Sequence, residues 1–186
     1  MMRREQPPWI RVARVKDAAA AAACHAACWR EAYAEIVDPV VLAERTSDVA
    51  ERTRRWRRRL EEGAHRWLAV APDDVVVGFS ACGPGRDDDI DLGTELEAIY
   101  VRQVYWGSGL ADRLLEVTIG DEPAYLWVFE ANERARGFYA RHGFVLDGTA
   151  KHDPFFDRNE IRMVRRQARH DRWKADSSNI DEPGPN

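Results

Sequence analysis

No run of apolar residues in this chain is long enough to cross a bilayer, so no membrane association is expected. Met1 to Pro8 is polar and lacks the apolar core of a signal peptide. Cysteine is scarce. Cys24, Cys28 and Cys82 are too few and too unevenly placed for a disulfide framework, and a reducing cytoplasm is the expected location. Cys24-His25-x-x-Cys28 has the spacing of two metal ligands one helical turn apart. No matching second pair follows, the surroundings are alanine-rich helix, and small cysteines suit a buried helix face, so no metal is expected. Positive charge is not in excess either. The net charge of −4 argues against a general nucleic-acid binder.

What remains is an ordinary globular composition. With 186 residues, 45% of them hydrophobic, the chain can bury a real core, and one domain over 9–166 is expected, followed by a polar tail over 167–186. Trp9 to Val15 alternates as a strand does. Asp17 is placed to cap an alanine-rich helix from Ala18 to about Ala34. Asp38-Pro39 restarts the chain as cap and first-turn proline. Val49, Thr53, Trp56 and Leu60 share one face of a helix over Asp48 to Leu60. Its other face carries Arg52, Arg54, Arg55, Arg58 and Arg59. With Glu44, Glu51, Glu61 and Glu62 nearby, that face reads as solvated rather than as a patch for phosphate or an acidic partner.

Arg66 to Ala71 and Val75 to Cys82 read as a hairpin turning at Pro72-Asp73-Asp74. The loop Pro84 to Asp91 carries Asp87, Asp88, Asp89 and Asp91, whose spacing matches no calcium loop, so a plain exposed loop is expected. Near an active site it would favour a cationic substrate. Ala124 to Phe129 is nearly all apolar, as a strand covered on both faces would be. Phe144 to Leu146 and Glu160 to Val164 read as the last strands, and the chain turns polar from Arg165.

Two stretches carry chemistry. In the first, Glu95 to Val101 reads as a strand, Trp106-Gly107-Ser108-Gly109 as a turn, and Leu110 onward as a helix. Such a turn leaves backbone N–H groups without partners at the positive end of the helix dipole, where a phosphate can sit. Gly107 and Gly109 lack the Cβ that would hinder close approach. A dinucleotide fingerprint needs a third glycine and a P-loop needs Gly-Lys-Ser/Thr, and neither is present. In the second stretch, Asn132 can cap a helix containing Ala135, Phe138 and Tyr139, and Gly143 stops it.

Together the two stretches resemble the GNAT superfamily of acyl-CoA-dependent N-acetyltransferases. That family's Arg/Gln-x-x-Gly-x-Gly/Ala signature corresponds to Trp106-Gly107-Ser108-Gly109-Leu110-Ala111, with Trp106 where Arg or Gln is usual. Its second signature corresponds to Asn132 followed by Phe138-Tyr139-Ala140-Arg141-His142-Gly143-Phe144. The resemblance implies an α+β sandwich: a mixed, mostly antiparallel sheet of about six to seven strands flanked by helices, with splayed parallel central strands. It implies acetyl-CoA as co-substrate, seated along Ile99, Tyr100 and Val101, on the turn Trp106, Gly107, Ser108, Gly109, Leu110 and Ala111, and against Asn132 and Tyr139.

The implied reaction is acetyl transfer to a primary amine by direct attack in a ternary complex. An alkyl amine with a pKa of about 10.4 is protonated at neutral pH, so a base is needed. Glu95 is the expected base and Glu97, placed on the same strand face, the second candidate. A backbone N–H near Val101 would meet the oxyanion, and Tyr139 would protonate the departing thiolate. The acceptor, a small molecule or a protein or peptide amine, has no signature; Glu35–Ser47 and Asp147–Asn159 are the loops expected to select it, and His152 and Asp153 in the second read equally as acceptor-site lining or as surface residues. A homodimer is a further expectation from the family. Two other readings compete: a non-catalytic acyl-CoA sensor, and a nucleic-acid binder using Arg52 to Arg59.

Overall fold

In the computed structural model, residues 6–166 are described. The expected tail, 167–186, lies outside them. Seven strands form one sheet: β1 (Trp9–Val12), β2 (Arg66–Val70), β3 (Val76–Pro84), β4 (Thr94–Val101), β5 (Ala124–Phe129), β6 (Val145–Asp153) and β7 (Arg158–Arg165). Their order is β1-β2-β3-β4-β5-β7-β6. Every neighbouring pair is antiparallel except β4 and β5, which are parallel and share the single registered pair Glu95↔Tyr125. Beyond that pair the two central strands part, which is the splay the resemblance implied.

Five helices cover the sheet: α1 (Ala18–Ala32), α2 (Pro39–Ser47), α3 (Val49–Glu61), α4 (Leu110–Ile119) and α5 (Glu133–Arg141). Alternation along β2 and β3 divides the core. Leu68, Val70 and Phe79 pack with α1 and α3, whereas Ala69 and Val77 pack with Leu110 and Leu114 of α4. Leu126, Val128 and Met163 pack with Leu115, Ile119, Tyr139 and Phe144 in the same way. Asp38 caps α2 through Val40 N–H at 2.9 Å, and Gly143 stops α5 at φ +84°.

Several local expectations are corrected by tertiary contacts. Asp17 does not cap α1; its carboxylate accepts from Arg14 N–H at 2.7 Å and pairs with Arg11. Arg52, expected on a solvated face, is buried, with its guanidinium 4.1 Å over the Trp29 ring and a bond to the Arg45 carbonyl. Arg165 is also buried, bonded to the carbonyls of Gly120 and Glu122. Much of the expected loop Glu35–Ser47 is α2, and most of Asp147–Asn159 is the β6–β7 hairpin.

The acidic loop is no plain exposed loop. The Arg162 side chain, only 4% exposed, donates to Asp87, Asp89 and Asp147. It therefore ties the loop down across β7. Among the described residues, no group of three or more His, Cys, Asp or Glu could hold a metal ion, and no helix is long and apolar enough to cross a membrane.

Candidate active site

The parting of β4 from β5 opens a cavity of about 520 Å³. Its lining includes Glu95, Glu97, Ile99, Tyr100, Val101, Trp106, Gly107, Gly109, Ala111, Asn132 and Tyr139, so most of the expected site residues converge there. Ser108 and Leu110 do not; Leu110 is buried in the core with Ala69 and Val77.

One edge of the cavity is backbone. Arg102 N–H bonds to the Val77 carbonyl at 2.9 Å. In an antiparallel pair, hydrogen-bonded positions recur every second residue, so Tyr100 also bonds toward Phe79, its registered partner. Ile99 and Val101 then turn their backbone groups toward the gap. Lower in β4 the register skips Glu97, between Ala81↔Ala98 and Cys82↔Leu96. This bulge breaks the alternation assumed for Glu95 and Glu97, and the two carboxylates part. Glu97 pairs with Arg66 of β2 at 3.2 Å. Glu95, only 3% exposed, takes a two-pronged bond from Arg86, 2.7 Å from Nε, and a third from the Tyr125 hydroxyl at 3.1 Å.

At one end of the gap lies the glycine turn. Gly107 (φ +74°) and Gly109 (φ +80°) both adopt the left-handed region that disfavours side chains, and a Cβ on either would meet open space. Of the expected cradle, Trp106 N–H is taken by the Gln103 carbonyl, Ser108 N–H by Tyr105, and Leu110 N–H by Ser108 Oγ at 3.4 Å. The cradle is thus narrower than expected. The amides of Gly107, Gly109, Ala111 and Asp112 have no partner among the described residues. They sit where α4 begins and its dipole is positive, which fits a diphosphate.

Trp106 has two engagements. Its Nε1–H donates to the Val101 carbonyl at 2.9 Å, and the Arg134 guanidinium stacks on its ring at 3.7 Å. Arg134 has no carboxylate partner among the described residues, and burial pushes its guanidinium down from the ordinary value. Arg134 of α5 thus places a cation on the indole face at position 106.

Further along, Asn132 is buried and caps α5 by accepting from Ala135 N–H at 3.1 Å. Tyr139 lies toward the other end of that helix, packed edge-on against Phe138 and Phe144. Its hydroxyl has no hydrogen-bond partner among the described residues, and burial pushes the phenol well above its usual range, with Tyr100 adding to the shift. Tyr33 and Tyr100 join hydroxyls at 2.6 Å on the α1 side.

The other end of the cavity holds residues the sequence reading missed: Arg86, Trp127, Lys151 and Glu160. Trp127 is half-buried in a strand whose other residues are all buried, and an indole there gives no local signal in the sequence. Arg86, Lys151 and Glu160 come from a loop and two later strands, and nothing local marks them. His152 and Asp153, which read equally as acceptor-site lining or as surface residues, do not line this cavity; His152 lies 3.3 Å from Asp157 and Asp153 accepts from Phe155 N–H.

With this geometry in hand, likeness to known proteins is informative. Residues 15–144 match the family model described as the acetyltransferase (GNAT) family. The chain is 30% identical over 144 residues to a Mycobacterium tuberculosis protein named "Probable N-acetyltransferase", covering 75% of this chain and 80% of that one. Among solved structures, the paia N-acetyltransferase of Thermoplasma acidophilum, in complex with coenzyme A, superposes with a TM-score of 0.62 at 17% identity, over 86% of this chain and 99% of that one. The yncA structure of Salmonella typhimurium, with its cofactor acetyl-CoA, has a TM-score of 0.61 at 18% identity, over 97% and 98% of the two chains. These structures share the fold; the family model and the mycobacterial relative carry the assignment. A forked pair of parallel strands, a turn of unpaired amides and a matching sequence over most of the domain lead to one conclusion: this chain belongs to the GNAT family of acetyltransferases.

Proposed function

We propose that the protein transfers an acetyl group from acetyl-CoA to a primary amine, by direct attack while both substrates are bound. The observation carrying this reading is that the open edge of β4, the unpaired amides at α4 and the Tyr139 hydroxyl line one cavity. The mycobacterial relative's name and the coenzyme-bound structures of similar fold support it.

The cavity's residues divide the work. Backbone groups of Ile99 and Val101 would pair with the pantetheine arm as an added strand does. Trp106 Nε1 already donates to the Val101 carbonyl, and Val101 N–H is the donor proposed for the oxyanion, so pairing with the pantetheine arm would fall to Ile99 and to the second lone pair of that carbonyl. The amides of Gly107, Gly109, Ala111 and Asp112 would hold the diphosphate. Arg134 would supply its counter-charge. Changing Arg134 to Ala is expected to weaken acetyl-CoA binding about tenfold while leaving S-acetylpantetheine, which lacks the diphosphate, unaffected. Equal losses for both ligands would remove Arg134 from the diphosphate site.

Glu95 is the proposed proton acceptor, acting directly or through one water, with Glu97 second. Arg86 and Tyr125 fix the Glu95 carboxylate at the acceptor end of the cavity. Glu95→Gln should lower kcat at least tenfold with a competent amine, while the amide's near-identical shape keeps the packing; a loss seen only in Glu97→Gln reverses the order.

Thiol release from acetyl-CoA, followed over a panel of amines, tests the proposal as a whole. Release with at least one amine is the expected result. Tight acetyl-CoA binding with no release for any amine would favour an acyl-CoA sensor instead, and salt-sensitive binding of DNA or RNA a nucleic-acid role.

A further inference from the structure

The acceptor end of the cavity is furnished in a way that the acetyl-donor end does not require. Trp127 is fixed in position: its Nε1–H donates to Asp87 at 3.0 Å, and Asp87 is itself held by Arg162. On the indole face sits the Lys151 ammonium, 3.7 Å from the ring centre. The same ammonium lies 3.7 Å from Glu160. Trp127, Lys151 and Glu160 all line the cavity.

The three are unequally committed. The Glu160 side chain is 21% exposed, and burial raises its carboxyl above the usual range, with Asp153 and Glu95 as further carboxylates near it. It therefore needs a cation. Lys151 is 46% exposed and sits beyond ordinary hydrogen-bond distance from its partner, so it is a loosely held occupant. Its long stem lets the ammonium leave for solvent at little cost. Lysine is also rare here: Lys16, Lys151 and Lys174 are the chain's only three, and most of its other cations are arginines. An aromatic face with a half-buried carboxylate beside it is a general solution for binding an alkylammonium.

We infer that Trp127 and Glu160 form the seat for an alkylammonium group of the acceptor, and that Lys151 fills this seat until the acceptor displaces it. The inference rests on the proposed acetyl transfer for its assignment to the acceptor, and it specifies the acceptor class: an amine carrying a lysine-like cation, such as a diamine or a lysyl side chain. An acceptor with a carboxylate at that point would instead need Lys151 as its partner, which gives the two alternatives opposite signs.

The test is calorimetric titration of 1,5-diaminopentane and of 6-aminohexanoate into the full chain saturated with CoA. Removing the internal competitor by Lys151→Ala should tighten diaminopentane binding by roughly three- to tenfold. Adding Glu160→Gln or Trp127→Leu to that variant should abolish the gain. Circular dichroism confirms that each variant is folded, and Lys151→Ala, a change at a half-exposed site, keeps the test open if Trp127→Leu does not fold. Unchanged or weaker diaminopentane binding in Lys151→Ala overturns the inference, as does a selective loss of 6-aminohexanoate binding, which would make Lys151 an anion binder. The CoA titration that precedes each run reads the proposed function separately. Failure to bind CoA counts against acetyl transfer, whereas normal CoA binding with no effect of Lys151→Ala counts against the cation seat alone.

Discussion

Tyr139→Phe is expected to lower turnover at least tenfold while acetyl-CoA binding stays nearly intact. The reason is the contrast between the ring and its hydroxyl. The ring is core, packed against Phe138 and Phe144, and phenylalanine preserves those contacts. The hydroxyl faces the cavity and has no partner among the described residues. Burial holds the phenol protonated across the working pH range. We propose that this O–H meets the charge that develops on the CoA sulfur as the thioester breaks, and that it stabilises that charge far better than the neutral thioester. Because the phenol is a weaker acid than a thiol, its contribution would be a hydrogen bond to the developing thiolate, which takes its proton from solvent. Steady-state kinetics with a competent amine gives kcat, and titration gives the dissociation constant. An unchanged kcat would remove Tyr139 from the chemistry and leave it a packing residue.

Arg162→Met should cost about 3 kcal/mol or more of folding stability. The arginine side chain is almost wholly buried and meets Asp87, Asp89, Asp147 and the Thr149 hydroxyl. Methionine fills a similar volume but leaves the carboxylates without their cation. Asp89 is largely exposed and can turn to water, so the loss falls mainly on Asp87 and Asp147, whose side chains are 20% and 11% exposed. Urea unfolding followed by fluorescence measures the change, and a shift within about 0.5 kcal/mol would mean that the three aspartates find solvent unaided. The same substitution frees Asp87 from its anchor and so loosens Trp127, whose indole it orients.

How far the site was legible in the chain depends on how its parts are built. Gly107, Gly109, Asn132 and Gly143 could be read directly, because left-handed backbone and helix capping are local demands that leave local traces. Trp127 could not be singled out, because an indole is one more apolar side chain in an apolar strand. Arg86, Lys151 and Glu160 left no trace, since each matters through a partner on another element. The same reason explains the misjudged arginines. Arg52 comes three residues after Val49 and four before Trp56, at the flank of the apolar face of α3, and Trp29 of α1 offers it an aromatic face there. The acidic loop reads as surface until Arg162, more than 70 residues later, is brought beneath it.

By itself, then, the order of residues determined most of the strands and helices, the stop of α5 and the left-handed glycines of the turn, because these follow from backbone conformation and short-range periodicity. The three-dimensional packing decided the rest. It parted β4 from β5 after a single pair, placed a bulge at Glu97 that sent two carboxylates to different arginines, and brought Arg134 onto Trp106. The physical reason is that a charged side chain's role is set by whichever opposite charge, ring or solvent it meets in space, and neighbours in sequence do not specify that meeting.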